Sequence, residues 1–102
     1  MSQPMDDTER LIANAEEELP ASTRSRLIAK LRMGHHIDEA ARDLGVSPQR
    51  VFSTARILKP FGDQLDATLT AERDPKIPHG TVTGYNKRCR CPQCRAAVNR
   101  RI

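Results

Sequence analysis

The residues with the most distinctive chemistry lie near the C-terminal end of the sequence. All three cysteines, Cys89, Cys91 and Cys94, are close together, and His79 stands ten residues before the first of them. Three thiols and one imidazole supply four soft or borderline ligands, the set that a structural, tetrahedral Zn²⁺ site takes. Neighbouring Arg and Lys residues favour the thiolate form that binds a metal. The spacing therefore predicts one zinc ion held by His79, Cys89, Cys91 and Cys94.

Other uses of these cysteines have weaker support. A disulfide would suit an exported chain, but three cysteines leave one thiol unpaired and nothing in the sequence indicates export. Free buried thiols fit poorly among so many charged neighbours. Exposed thiols without a ligand stay open as an alternative. An iron–sulfur cluster would need a fourth cysteine.

No group of residues predicts catalysis. Four protein ligands leave zinc no open position for a substrate or water. Ser47 with His35 or His36 lacks the third partner that nucleophilic catalysis needs, and Ser47 is better explained as a helix cap. Glu72 and Asp74 have no carboxylate cluster around them. We therefore expect no enzymatic activity and no small-molecule substrate.

The stretch of residues 37–58 predicts two short helices joined by a tight turn. Its first half carries apolar residues at the spacing of one helix face: Ile37, Ala40, Ala41 and Leu44. Gly45 follows at once, at the position where a helix commonly ends with positive φ. Ser47 is a strong N-cap and Pro48 suits the first helical position. Val51, Ala55 and Leu58 then predict the buried face of the second helix.

The turn in this stretch resembles the helix-turn-helix of bacterial DNA-binding proteins. The matching positions are Ala41, Gly45, Val46, Ser47 and Val51. The resemblance implies a homeodomain-like, three-helix core whose last helix lies in the major groove of double-stranded DNA.

Flanking segments add further helices. Apolar spacing and caps predict helices over about residues 7–19, 22–33 and 62–72, and the Pro-containing residues 74–78 predict a stiff linker. We therefore expect an all-α chain, with a three-helix helix-turn-helix core, flanking helices and a small C-terminal zinc-binding segment. Its expected parts are an acidic N-terminal helix (1–20), a DNA-binding domain (21–73) and a basic zinc-binding tail (74–102).

Charge alternates along the chain and supports a nucleic-acid partner. The net charge is +4, divided into −5 over residues 1–20, +5 over residues 21–59, −2 over residues 60–76 and +6 over residues 77–102. A basic segment that coincides with a helix-turn-helix pattern points to DNA, although either basic run alone would suit a solvated surface.

Helical periodicity assigns the DNA contacts. If Val51, Ala55 and Leu58 face the core, the opposite face presents Gln49, Ser53 and Arg56, flanked by Arg50. Gln pairs with adenine and Arg with guanine in the major groove. The predicted phosphate contacts are Arg24, Arg26, Lys30, Arg42 and Lys59, with Arg88, Arg90 and Arg95 from the tail.

The tail resembles an element found in small proteins of actinobacteria and their phages. The matching residues are His79, Gly80, Thr81, Gly84, Tyr85, Cys89, Arg90, Cys91, Cys94 and Arg95. That pattern often has Gly before the first cysteine, where this chain has Arg88. The resemblance implies a metal-binding tail and a phage or actinobacterial origin, but no single biochemical role.

Three functions are consistent with these features. We expect a zinc-binding, DNA-binding transcriptional regulator of a phage or bacterium. The alternatives are a packaging protein resembling a phage terminase small subunit, or a zinc-dependent protein-interaction module. The acidic N-terminal helix is a candidate for homo-oligomerisation. Without a signal peptide or an apolar run of about 18 residues, we expect a cytoplasmic or nucleoid protein that does not enter a membrane.

Overall fold

The computed structural model describes residues 7–100, except for the side chain of the last of these. This part of the chain is all-α, as predicted, and contains no strand. Its helices are α1 (Asp7–Glu18), α2 (Ala21–Arg32), α3 (Ile37–Asp43), α4 (Pro48–Ile57), α5 (Lys59–Ala71), α6 (Val82–Asn86) and α7 (Pro92–Arg100).

The turn between α3 and α4 forms as the sequence predicts. Gly45 has a φ of +72°, which directs the chain away from α3. The Val46 N–H then donates a hydrogen bond of 2.9 Å to the carbonyl of Ala41. Ser47 caps α4, since its Oγ accepts a hydrogen bond of 3.2 Å from the Arg50 N–H. The two helices are therefore held at a fixed corner.

One apolar core joins the first five helices. Its fully buried members are Ala15, Leu19, Leu27, Ile28, Leu31, Ile37, Ala40, Ala41, Val51, Leu58, Phe61 and Leu65. The set of α4 residues that face the core differs slightly from the prediction. Val51 and Leu58 are buried as expected, but Ala55 is only half-buried, whereas Thr54 is 1% exposed. The buried face of α4 is rotated towards Thr54, a polar residue that an apolar pattern does not identify.

Helix α5 begins three residues before the predicted start at Gly62. Pro60 lies in its first turn, where the missing proline N–H has no intrahelical partner to lose. Helix α5 packs on both α2 and α4 and so closes the helical core.

Helix α1 is only partly covered by this core. Ala15 and Leu19 are buried, but Leu11 is 53% exposed and Ile12 is 36% exposed. The helix packs against α4, and Glu18 forms an ion pair with Arg50. The apolar residues of this segment are thus divided between the core and the surface.

The tail contains two helices that the sequence reasoning did not predict. Helices α6 and α7 pack against each other, and α7 also contacts α5. Residues 77–100 are called the C-terminal module below. No helix in the described part of the chain is long and apolar enough to cross a membrane.

The geometry of Gly45 makes one substitution informative. Gly45→Val should lower the free energy of unfolding by roughly 1–3 kcal/mol, because β-branched residues are strongly disfavoured at positive φ. No atom lies within 4 Å of an added Cβ, so the cost comes from the backbone and not from a clash. Thermal melts measure the loss. Gly45→Asn is the control, since Asn tolerates this conformation, and it should lose much less. Equal midpoints for Gly45→Val and the unsubstituted protein would contradict the assigned turn.

Candidate metal centre

The four predicted metal ligands converge on one point. His79, Cys89, Cys91 and Cys94 place their ligand atoms within 4.8 Å of one another. The Nδ1 atom of His79 lies 3.3 Å from the Cys89 sulfur, 3.6 Å from the Cys91 sulfur and 3.6 Å from the Cys94 sulfur. The three cysteines are buried and His79 is half-buried. The cluster is a candidate metal site.

The spacing of these atoms fits a four-coordinate ion. Metal–sulfur bonds of about 2.3 Å and a metal–nitrogen bond of about 2.0 Å at tetrahedral angles put nitrogen and sulfur about 3.5 Å apart. The three observed nitrogen–sulfur distances, 3.3 to 3.6 Å, agree with that value. No disulfide links the cysteines, which are all free thiols.

A backbone carbonyl fixes which nitrogen of His79 faces the cluster. The Nε2 atom lies 2.7 Å from the carbonyl oxygen of Asp74, and a carbonyl can only accept, so Nε2 carries the proton. In the neutral imidazole the other nitrogen, Nδ1, then carries no proton and is available as a metal ligand. Hydrogen bonds of this kind orient ligating histidines and raise their basicity. The linker before the module thus supports its first ligand.

A tight turn brings His79 back towards the cysteines. Thr81 caps the short helix α6, and its Oγ1 accepts a hydrogen bond of 3.0 Å from the Gly84 N–H. An added Cβ at Gly84 would lie 2.6 Å from the Pro78 carbonyl oxygen and 2.9 Å from the Cys94 sulfur. Only glycine allows this approach without a shift of the turn or of a ligand.

Arg88 has the backbone conformation that glycine usually adopts. Its φ is +73°, the only positive φ among the described residues other than glycine. Arg88 thus forms the turn immediately before Cys89 despite the steric strain that a positive φ causes in a residue with a Cβ.

The environments of the thiols differ. Burial raises the pKa of the Cys89 thiol to about 11. Burial alone would also raise the pKa of Cys91, but hydrogen bonds from the Cys94 backbone and from Arg73 outweigh it and lower that pKa to about 6. Arg73 lies in the linker after α5, with Nη1 3.6 Å from the Cys91 sulfur. A cation of the core segment thus favours one thiolate of the module.

Polar contacts attach the C-terminal module to the helical core. Arg95 of α7 forms an ion pair of 2.6 Å with Asp66 of α5, and its guanidinium lies 4.6 Å from the centre of the Phe52 ring on α4. His36, at the start of α3, donates from Nε2 to the Arg88 carbonyl at 2.6 Å, because its Nδ1 accepts from the Asp38 N–H. Helices α3, α4 and α5 thus each contact the module.

The predicted DNA-contacting residues of α4 are on the surface. Gln49, Ser53 and Arg56 are exposed on the side of α4 opposite Val51. Arg50 is also exposed, but it is paired with Glu18 of α1.

The predicted phosphate contacts of α2, α3 and α5 are more varied. Arg26, Arg42 and Lys59 are exposed. Lys30 forms an ion pair of 3.6 Å with Asp43. Arg24 is half-buried, with its guanidinium 6.0 Å from the centre of the Phe61 ring and its Nε enclosed.

The three tail arginines predicted to contact DNA are engaged within the protein. Arg90 lies 3.8 Å above the Tyr85 ring and donates to the Tyr85 carbonyl at 2.7 Å. Arg88 approaches Asp38 at 4.0 Å. With Arg95 paired to Asp66, these three residues hold the module together and onto the core. The sequence reasoning missed this role and the supporting residues His36, Asp66, Arg73 and Asp74, because it considered the module and the core separately.

A cleft of about 810 Å³ separates α4 from the C-terminal module. Five of the predicted DNA contacts border it, namely Gln49, Arg56, Lys59, Arg90 and Arg95. Comparison with protein families, curated proteins and solved structures finds no match to this chain. Its function must therefore be argued from its own geometry.

The cluster predicts one bound metal ion per chain. His79→Ala should lower the metal content of the purified protein, because it leaves three protein ligands for an ion that takes four. Elemental analysis by mass spectrometry gives the metal-to-protein ratio. His35→Ala is the matched control, since His35 is exposed and outside the cluster. Equal metal content in the two variants would contradict the assignment of His79.

Proposed function

We propose that this protein is a small zinc-binding helix-turn-helix protein that binds double-stranded DNA as a phage or bacterial transcriptional regulator. The observation that carries the DNA-binding part is the exposed row of Gln49, Ser53 and Arg56 on α4. The opposite side of this helix is fixed in the core by Val51 and Leu58, and its first turn is capped by Ser47. These contacts hold the row in one orientation before any partner binds.

The side chains of this row have the chemistry for reading base pairs. Gln49 carries an amide that can bond to adenine through two hydrogen bonds, and Arg56 carries a guanidinium that can do so to guanine. Arg26, Arg42 and Lys59 are exposed and suit phosphate contacts, which set position without reading sequence. The net charge of +4 favours association with a polyanion.

We assign the metal as zinc on the basis of its ligands. Three cysteine sulfurs and one imidazole nitrogen are a frequent ligand set of structural zinc, and the nitrogen–sulfur distances suit its tetrahedral geometry. Zinc has no redox chemistry of its own, so such an ion acts by holding the module together. All four ligands are side chains of described residues. A tetrahedral ion that they hold has no open coordination position for a reacting water.

Two exposed apolar residues of α1 support a second candidate, a DNA-packaging protein that works as an oligomer. Leu11 and Ile12 lie on the surface of an otherwise acidic helix, where a second copy of the chain would cover them. A terminase-like ring would have several times the mass of one chain, so light scattering separates it from a monomeric or dimeric regulator.

Two arginines separate reading of bases from phosphate contact. Arg56→Ala should weaken the free energy of binding to the preferred duplex by about 1–3 kcal/mol, because it removes a base contact. The loss on random duplex should be much smaller. Arg42→Ala removes the same charge from α3 and should weaken binding to both duplexes by similar factors. The preferred duplex is first obtained by selection from a random pool. Fluorescence anisotropy then gives the dissociation constants of the unsubstituted protein and of both variants on each duplex.

Two outcomes would contradict this proposal at different points. If Arg56→Ala weakened both duplexes equally, α4 would not read bases in the orientation assigned here. If the unsubstituted, metal-loaded protein bound no duplex at low salt, the alternative of a zinc-dependent protein-interaction module would replace DNA binding.

A further inference from the structure

The cleft between α4 and the C-terminal module adjoins the proposed DNA-reading face. Gln49 and Arg56 belong both to the exposed row of α4 and to the wall of the cleft. Tyr85, Arg90 and Asn99 line the opposite wall. A partner that covers the exposed row of α4 must therefore also lie against the mouth of this cleft.

The charges that remain after internal pairing make the cleft cationic. Its carboxylates are Asp38, Asp63 and Asp66. Asp66 is paired with Arg95 at 2.6 Å, and Asp38 has the Arg88 guanidinium 4.0 Å away. Of the remaining charges in the lining, one is the carboxylate of Asp63 and three are cations, those of Arg56, Lys59 and Arg90. An anionic partner would meet favourable charge here.

The size of the cleft suits a piece of one nucleic-acid strand. Its volume of about 810 Å³ is in the range of small-ligand sites, and a duplex is too large to enter it. A helix in the major groove has one sugar–phosphate strand on each side, because the groove is only about 12 Å wide. If α4 lies in the groove, the strand on the side of the C-terminal module runs along the cleft.

The far wall of this cleft depends on the metal ligands. Among the described residues, the buried cluster of the module consists of Cys89, Cys91 and Cys94, with Ile77 and Tyr85 packed against it. So small an apolar cluster cannot fix a module of this size by itself, and structural metal sites commonly supply the missing stability. The core of α1–α5 has its own apolar cluster and does not share this dependence.

We propose that the cleft between α4 and the C-terminal module binds one sugar–phosphate strand of the DNA, and that metal binding assembles it by fixing its far wall. This inference rests on the proposed DNA-binding function and adds a site and a dependence to it. Lys59 contacts a phosphate from one side, and Asn99 contacts the strand from the other. Arg95 is a positioning residue, which holds α7 against Asp66 and Phe52.

The strand contact is tested with the metal-loaded, full-length protein. Lys59→Gln removes one exposed cation at the cleft, and Lys76→Gln removes the same charge from the linker outside it. Dissociation constants for a selected duplex are measured between about 50 and 200 mM salt. The slope of log affinity against log salt is negative, and each lost phosphate contact should make it shallower by about 0.9. Lys59→Gln should show this change, and Lys76→Gln should not.

The metal dependence is tested in both directions. Removal of the metal by a chelator should weaken duplex binding by about 5–150-fold, the usual range of coupling between two sites. Because such coupling is reciprocal, the same duplex should tighten zinc binding by the same factor, measured by competition with a chromophoric chelator. Circular dichroism checks that α1–α5 stay helical after metal removal.

The outcomes separate this inference from the function on which it rests. Equal duplex affinity with and without metal, together with an unchanged salt slope for Lys59→Gln, would overturn the cleft and leave DNA binding by α4 intact. A metal-loaded protein that binds no duplex at low salt would overturn DNA binding itself, and the inference with it. A shallower salt dependence for Lys59→Gln, together with reciprocal coupling between duplex binding and zinc binding, would support both the cleft and DNA binding.

Discussion

The convergence of one imidazole nitrogen and three sulfurs is the interaction on which the C-terminal module of this protein depends. The Nδ1 atom of His79 lies 3.3 to 3.6 Å from all three sulfurs. In the described part of the chain there is little apolar packing around these atoms, since Ile77 and Tyr85 are the partly buried apolar residues packed against the cysteines. Four bonds to one ion would replace the hydrophobic core that a segment of this length cannot form.

The surroundings of the cluster connect it with the helical core. Asp74 fixes the orientation of His79, Arg73 contacts the Cys91 sulfur, and His36 binds the backbone just before Cys89. Each contact comes from the end of a core helix or from the linker that follows. The metal site and the core are therefore parts of one arrangement, and α4 and the module form the two sides of a common cleft.

Local sequence predicted those features that local chemistry determines. The turn at Gly45, the cap at Ser47 and the four candidate ligands follow from residue type and spacing over a few positions. Contacts between distant segments were not predictable in this way. Arg88, Arg90 and Arg95 have the composition of DNA contacts, yet their partners within the protein include Asp38, Tyr85 and Asp66. Only the folded chain shows which cations are already paired.

The central claim is that one tetrahedral ion is held by three sulfurs and one nitrogen. X-ray absorption spectroscopy at the zinc edge of the purified protein tests it most directly, since it counts the ligands and measures their distances. The expected result is about three sulfur atoms at about 2.3 Å and one imidazole nitrogen at about 2.0 Å. A first shell made mainly of oxygen, or one with fewer than three sulfurs, would contradict the account.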